Sequence, residues 1–304
     1  MKVLVTGSTG LVGTALVNSL AQVGHTVCRL IRPQSVSTAE AKKGFDVAWN
    51  PATGELGGAG VGADAVVNLA GASIAGGRWT KARKELLGTS RIDTTRALVH
   101  ALAKMNARPR VLVSASAIGI YGERGDEVLS EESKPGTDFL AGLAREWEAE
   151  ALKAEALGIR VVLARFGIIF AQHGGALAKM LLPFKLGAGG RLGSGKQWMS
   201  WITLEDVVAI IRFAIENLAI RGAINVVAPN AVQNVEFTKA LAKALHRPAH
   251  FPAPAFALRL ALGEMADALL LSSQRVKPQT LEKLGYRFLH ADLSSALNAI
   301  LQTG

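Results

Sequence analysis

Between a short apolar run, Lys2 to Thr6, and a stretch with apolar residues at helical spacing, Leu11 to Val23, lie the residues TGSTGLVG, with glycines at 7, 10 and 13. That spacing suits the holding of a dinucleotide. Gly7 permits a sharp turn, Gly10 lets the backbone approach a pyrophosphate, and Gly13 lets the helix pack closely, so that phosphates rest on the helix N-terminus. A strand before the glycines and a helix after them is the context that separates this motif from a purely structural turn. The end of the next strand chooses the nucleotide: an acid there bonds a ribose 2′-hydroxyl, whereas an arginine accepts a 2′-phosphate. Arg29 and Arg32 stand there, with no acid from Leu30 through Ala39. The sequence therefore predicts NADP(H), with Arg32 as the phosphate's partner; the other use of Arg32 is as an exposed loop cation.

The elements that must position these residues alternate along the first half of the chain. Lys2 to Thr6, Thr26 to Ile31, Asp64 to Leu69, Arg110 to Ser116 and Arg160 to Phe170 read as strands, nearly all apolar, and helical stretches separate them. Strands apolar on both faces and alternating with helices predict a Rossmann-like, doubly wound parallel sheet. Glycine density rises between Phe170 and Trp201, and a helix at 206–218 and a strand at 223–228 return to the sheet. Beyond Asn230 the pattern is helical with proline punctuation. The expected division is a dinucleotide-binding domain of residues 1–170 and 200–229, and a smaller, mostly helical lobe of residues 171–199 and 230–304.

Composition admits an anionic partner without choosing its kind. Of the 304 residues, 34 are Lys or Arg and 24 Asp or Glu, a formal charge of +10, which calls for an anionic partner: nucleic acid, a membrane surface, or a phosphorylated small molecule. The densest basic stretch, Arg78 to Arg110, has neither zinc-ligand spacing nor interleaved aromatics, and no apolar run approaches the ~18 residues of a membrane span. A small-molecule, anionic substrate is the expected partner, with no nucleic acid and no membrane. The lone Cys28 suits a reducing cytoplasm, and the six scattered histidines form no metal-ligand motif.

Taken in order, GSTGLVG (7–13), NLAGASI (68–74), RWTKARKELLGTSRIDTT (78–95), SASAIGIYG (114–122), DFLAGLAREWEAEA (138–151), RFGIIF (165–170) and the glycine-rich stretch 174–202 resemble the extended short-chain dehydrogenase/reductases, and within them the YfcH-like subfamily of the NAD-dependent epimerase/dehydratases. The resemblance covers essentially the whole chain, including a tail like that subfamily's C-terminal domain of unknown function. It implies a Rossmann-like fold, a cytoplasmic location, nicotinamide-dinucleotide binding, and oxidoreductase or sugar-nucleotide epimerase activity. It also implies that Thr9, Gly10, Leu11 and Val12 contact the diphosphate, that Leu69, Ala70, Gly71, Ser73 and Ser90 line the adenosine and ribose side, and that Ile168 approaches the nicotinamide.

One element of that resemblance is missing. Hydride-transferring members of the superfamily use a tyrosine and a lysine four residues later, the lysine lowering the phenol's pKa from about 10. Here the only tyrosines are Tyr121 and Tyr286, and positions 125 and 290 are Gly and His. The helix over 138–157 offers Leu140, Ala141, Ala144 and Arg145 in that region, and Ala117 stands where the partner hydroxyl would be. The nearest hydroxylic or titratable residues are Ser116, Tyr121, Arg145 and Glu146, of which Ser116 and Tyr121 are the catalytic candidates. The alternative is a non-catalytic NADP(H)-binding sensor or regulator. Arg191, Lys196 and Gln197 either wrap an anionic substrate or belong to a mobile loop, and Trp198 and Trp201 serve as a lid or as core packing.

Overall fold

A computed structural model describes residues 1–31, 46–51, 53–56 and 62–302. In chain order the first elements are β1 (Lys2–Thr6), α1 (Leu11–Gln22), β2 (Thr26–Ile31), β3 (Asp46–Asn50), β4 (Glu55–Leu56) and β5 (Ala65–Asn68). Then come α2 (Lys81–Thr89), α3 (Ile92–Ala103), β6 (Val111–Ala117), β7 (Val128–Leu129), α4 (Phe139–Leu152), β8 (Arg160–Phe166), β9 (Ile168–Phe170) and α5 (Gly175–Lys185). They are followed by β10 (Trp198–Met199), β11 (Trp201–Thr203), α6 (Leu204–Glu216), β12 (Gly222–Val226), β13 (Val232–Gln233), α7 (Asn234–Leu245) and α8 (Ala255–Leu262). The last are α9 (Glu264–Ala266), β14 (Arg275–Val276), α10 (Gln279–Lys283) and α11 (Leu293–Gln302).

The main sheet runs β12-β8-β6-β5-β1-β2-β3-β4, parallel throughout except for β4, which pairs antiparallel to β3. The chain winds outward through β2 and β3 on one side of β1 and then through β5, β6, β8 and β12 on the other. The order reverses between β1 and β5, so the ligand crevice belongs at the carboxyl ends of those strands. Side chains alternate across the sheet. Val3, Val5, Val67 and Val113 meet Leu16 and Leu20 of α1 and Val207, Ile210 and Ile211 of α6. Leu4, Val66, Leu112 and Leu163 meet Leu98 and Leu102 of α3 and Ala151 of α4. A third core, with Phe170, Trp201, Leu177, Phe237 and Leu297, holds α5, α7 and α11 together. The Rossmann-like doubly wound sheet and the mostly helical C-terminal region are as the sequence predicts.

Three details differ from the sequence reading. Strand β3, with polar residues at both ends, carries too short an apolar pattern to be read as a strand. The run 160–170 is two strands, because a side chain on Gly167 would lie 2.5 Å from the Ser200 carbonyl oxygen and 2.7 Å from Val227. The chain leaves the main sheet there, and β9 pairs with β11 instead. The helix expected over 138–157 turns 3₁₀ at Lys153.

Candidate functional site

The glycine loop is shaped by what it excludes. Gly7 has φ +64°, and a Cβ on it would sit 2.5 Å from the Leu69 carbonyl oxygen; one on Gly13 would sit 2.2 Å from that of Gly7. Neither position accepts a side chain. Gly10 donates its N–H to Gly7 O at 3.0 Å and starts α1 with no side chain to cap it, and no acid occupies the first turn. The helix therefore presents N–H groups and the positive end of its dipole without a capping side chain or a first-turn acid to oppose it. Thr9 and Gly10 are exposed, Leu11 and Val12 half-buried. Beneath them the buried Ser8 hydroxyl has no hydrogen-bond partner among the described residues. A cradle of this kind fits a diphosphate.

Buried hydrogen bonds fix the neighbouring strand ends. Thr6 Oγ1 donates to Asn68 Oδ1 at 2.7 Å and accepts from the N–H groups of Leu69 and Ala70. Asn68 Nδ2 donates to Thr95 Oγ1 at 2.8 Å, which also accepts from Trp147 Nε1. The loop beyond is clamped from α2 and α3. Ser90 Oγ accepts from Ala72 N at 3.0 Å, Arg91 donates to the carbonyls of Ala72 and Leu87, and Arg83 donates to that of Ser73. Arg91 also lies over the Trp147 ring and against Gly71. Burial, helped by the charge of Arg83, lowers its pKa to about 10. Leu69 and Ala70 are half-buried, and Gly71 and Ser73 face solvent.

Gly7, Thr9 to Gly13, Leu69 to Ser73 and Ser90 are thus assembled around the ends of β1 and β5. Ile168 is half-buried on β9 against the third core; its neighbour Ile169 comes near the loop, since a side chain on Gly175 would touch both the Ile169 carbonyl oxygen and Leu11. Arg32 lies outside the described residues. Arg29 is already engaged, its Nε and Nη2 donating to the two carboxylate oxygens of Asp46 at 2.6 and 2.8 Å.

Ser116 and Tyr121 meet in one buried cluster joined by residues that the sequence reading passed over. Ser116 Oγ donates to Glu148 Oε1 at 2.6 Å. Arg165 donates to both Glu148 oxygens at 2.8 Å and, through Nη1, to Tyr121 Oη at 2.9 Å. Tyr121 in turn donates to Asn225 Oδ1 at 2.7 Å. Burial pushes the Tyr121 phenol above its ordinary pKa, against the pull of Arg165. Burial disfavours the Arg165 charge, yet its bonds to Glu148 and Tyr121 outweigh that and hold it above the usual guanidinium range. Across from the cluster Gly119 faces Leu140, an apolar contact, while Arg145 and Glu146 are exposed on α4. One signal was available: Arg165 interrupts the apolar run RVVLARF, and a charge in a buried strand needs a partner.

The C-terminal region braces this wall. Gln274 Nε2 donates to the carbonyls of Ile118 and Gly122, Ser273 Oγ to that of Gly125, and Asn225 Nδ2 to that of Lys277, while β14 pairs with β7. Trp201 is core, stacked on Phe170, whereas Trp198 donates to Asp126 and carries Arg275 over its ring. Gln197 is buried and bonds the carbonyls of Leu192 and Leu270, and Arg191 bonds that of Ser194. A cavity of about 300 Å³ opens beside Tyr121, Glu123, Arg124 and Asp138. A larger one, about 370 Å³, is lined by Gly158, Arg160 and Arg221 at the amino ends of β8 and β12, away from the glycines.

The sequence profile of the NAD dependent epimerase/dehydratase family matches residues 3–227, and that of a domain of unknown function, DUF1731, matches residues 253–300. An epimerase family protein of Mycobacterium bovis is 43% identical over 296 residues, covering 97% of this chain and 96% of its own. The epimerase family protein YfhF of Bacillus subtilis is 40% identical over 302 residues, 99% of this chain and 98% of its own. The crystal structure of the human epimerase family protein SDR39U1 (isoform 2) with NADPH aligns over 100% of both chains, with a TM-score of 0.89 and 31% identity. UDP-N-acetylglucosamine 4-epimerase from Bacillus cereus, at 17% identity and a TM-score of 0.74 over 100% of this chain and 99% of its own, shares the fold.

Proposed function

The chain belongs to the NAD dependent epimerase/dehydratase family, and from that footing we propose that it binds NADP(H) in the glycine cleft and acts as an oxidoreductase- or epimerase-like enzyme on a small anionic substrate, without a tyrosine as its base. The observation that carries the reading is the uncapped start of α1 over glycines that tolerate no side chain. The human relative crystallised with NADPH supports the choice of nucleotide. Thr9 to Gly13 would hold the diphosphate, Leu69 to Ser73 and Ser90 the adenosine side, Arg32 the 2′-phosphate, and Ile168 would border the nicotinamide. When bound, that ring supplies or accepts a hydride.

The chain's own groups handle the rest. Tyr121 lacks a lysine four residues on and is buried with its phenol both donating and accepting, so it keeps its proton at neutral pH. Ser116 spends its proton on Glu148 and has only lone pairs to offer, which suits orienting a substrate hydroxyl rather than protonating it. The second reading, a non-catalytic NADP(H) sensor, is favoured by the same cluster, whose polar groups bond one another.

Purified protein titrated with NADPH by tryptophan fluorescence should bind it, and Gly10→Val should lose binding while keeping its melting curve. Unchanged affinity in a folded Gly10→Val variant would show the loop to be merely structural. A screen against carbonyl compounds and nucleotide sugars, following nicotinamide absorbance and epimer formation separately, then decides the chemistry. Turnover that survives Tyr121→Phe supports the enzyme reading, binding without turnover supports the sensor, and a loss of ~100-fold or more in kcat refutes both.

A further inference from the structure

The C-terminal region carries an apolar surface that no described residue covers. Leu182 and Leu186 stand one turn apart at the end of α5, Phe256 and Leu260 one turn apart on α8, and Phe251 lies on the proline-punctuated segment between α7 and α8; all five are between 64% and 78% exposed. No residue of α8 is buried, although its sequence is AFALRLAL. These side chains form one surface because the segments that bear them are joined. Phe251 N donates to Gly189 O, Ala253 N to Arg191 O, and Gly193 N to Ala253 O, and Gly187 approaches Pro248. Monomers rarely leave such a patch bare without a use for it.

Charge identifies the partner. Residues 179–196 and 237–263, which supply the whole patch, contain eight Lys and Arg and no Asp or Glu. Of these, the side chains of Lys185, Lys239, Lys243 and Arg247 make no hydrogen bond or ion pair among the described residues. A second copy would bring the same cations face to face, so self-association is opposed. Arg259, between Phe256 and Leu260, is paired with Asp267, and Glu236 and Glu264 flank the stretch, yet the cations outnumber these acids. Protruding Phe and Leu side chains beside the four unpaired cations match the headgroup and acyl boundary of an anionic bilayer.

We propose that the face formed by the end of α5, the segment Pro248 to Pro254 and α8 docks reversibly on anionic lipid surfaces. No described helix is long and apolar enough to cross a membrane; the proposed contact lies on the bilayer and goes beyond the expectation of a small-molecule partner alone. The surface ends beside the cleft, because Lys84 pairs with Glu264 and Arg78 packs on Gly263, just beyond α8. Docking therefore sets the mouth of the cleft near the headgroups.

The test is co-sedimentation of the full chain with vesicles of phosphatidylcholine alone or with about 30% phosphatidylglycerol, at low and high salt. Binding is expected only to the anionic vesicles and should fall with salt. Both Phe256→Glu with Leu260→Glu and, separately, Lys185→Glu with Arg247→Glu should weaken it by ~10-fold or more. Leu218→Glu, at an equally exposed leucine off the patch, should bind like wild type, and NADPH affinity should be the same in all variants, which reports that they are folded. Equal binding to both vesicle types, binding to neither, or indifference to the Phe256 and Leu260 changes overturns the proposal. So does light scattering that shows a dimer dissociated by Leu260→Glu, or an acidic protein that binds the patch while vesicles do not.

Discussion

Replacing Glu148 by Gln keeps the size of the side chain and removes its charge, which isolates what the buried ion pair does. In the wild type Glu148 accepts three short hydrogen bonds, one from Ser116 and two from Arg165. The side chains of Arg165 and Glu148 are only 10% and 8% exposed. With Gln, one of the two acceptors becomes an NH₂ group facing guanidinium donors, and Arg165 keeps as neutral partners Tyr121 Oη and, at 3.3 Å, the Glu131 carbonyl oxygen. Removing one member of a buried pair costs about 3–5 kcal/mol, because the other is left charged and desolvated. At about 2 °C per kcal/mol for a chain of this size, the melting temperature should fall by roughly 6–10 °C. Removing both charges, as in Glu148→Leu with Arg165→Met, should cost less than the two single changes together, with a coupling of about 2 kcal/mol or more. Urea unfolding followed by tryptophan fluorescence measures the wild type, Glu148→Gln, the singles Glu148→Leu and Arg165→Met, and the double variant. A Glu148→Gln protein within ~1 kcal/mol of wild type, or a double variant that equals the sum of the singles, would refute the assignment.

Arg32→Ala should remove most of an NADPH preference over NADH of at least ~10-fold, since charge-assisted bonds of about 1.5–3 kcal/mol are lost, whereas Arg29→Ala should leave the ratio standing because its guanidinium is committed to Asp46. Nucleotide titrations of the three proteins check this, and equal wild-type affinities for the two nucleotides would contradict it. Burial raises the pKa of both tyrosines, Tyr286 also through the charge of Asp206, so the folded chain holds protons that the unfolded chain releases near pH 10. That stabilisation is full below about pH 10 and is lost as pH rises through the folded values, so phenolate absorbance should appear together with alkaline unfolding by circular dichroism; a phenolate formed near pH 10 in folded protein is the contrary result.

The cofactor side of the site was legible because its signals are local. A turn, an uncapped helix and close packing at Gly7, Gly10 and Gly13 lie within seven residues, and the apolar strands around them carry their own pattern. What stayed hidden depends on residues far apart in sequence. Gly167 reads as any glycine until Ser200 and Val227 are seen against it. The sequence favours Arg32 over Arg29 for the 2′-phosphate but gives no sign that Arg29 is held elsewhere; Asp46, across on the next strand, takes it. Arg165 announces itself as a charge in a buried strand, but its partner sits seventeen residues earlier on a helix, where Glu148 is one of several acids in REWEAEA. The pattern of a helix marks which side faces the core, not which acid on it meets a cation.

Tyr121 shows why loss of activity in a variant must be divided before it is assigned. Its hydroxyl sits between a donor and an acceptor, Arg165 Nη1 and Asn225 Oδ1, and Tyr121→Phe leaves both without that partner in a buried place. Each unsatisfied group costs about 1–3 kcal/mol. Asn225 also ties the C-terminal region in, donating to Lys277 O, so the disturbance reaches the brace that Gln274 and Ser273 place on residues 118–125. A purely structural role therefore lowers the melting temperature and loosens the wall, raising KM for the substrate while kcat at saturation and well below the melting point holds. A proton-transfer role lowers kcat itself and moves its pH profile. The geometry favours the first outcome: a phenol that holds its proton above the ordinary range and already spends it on Asn225 has none to trade near neutral pH.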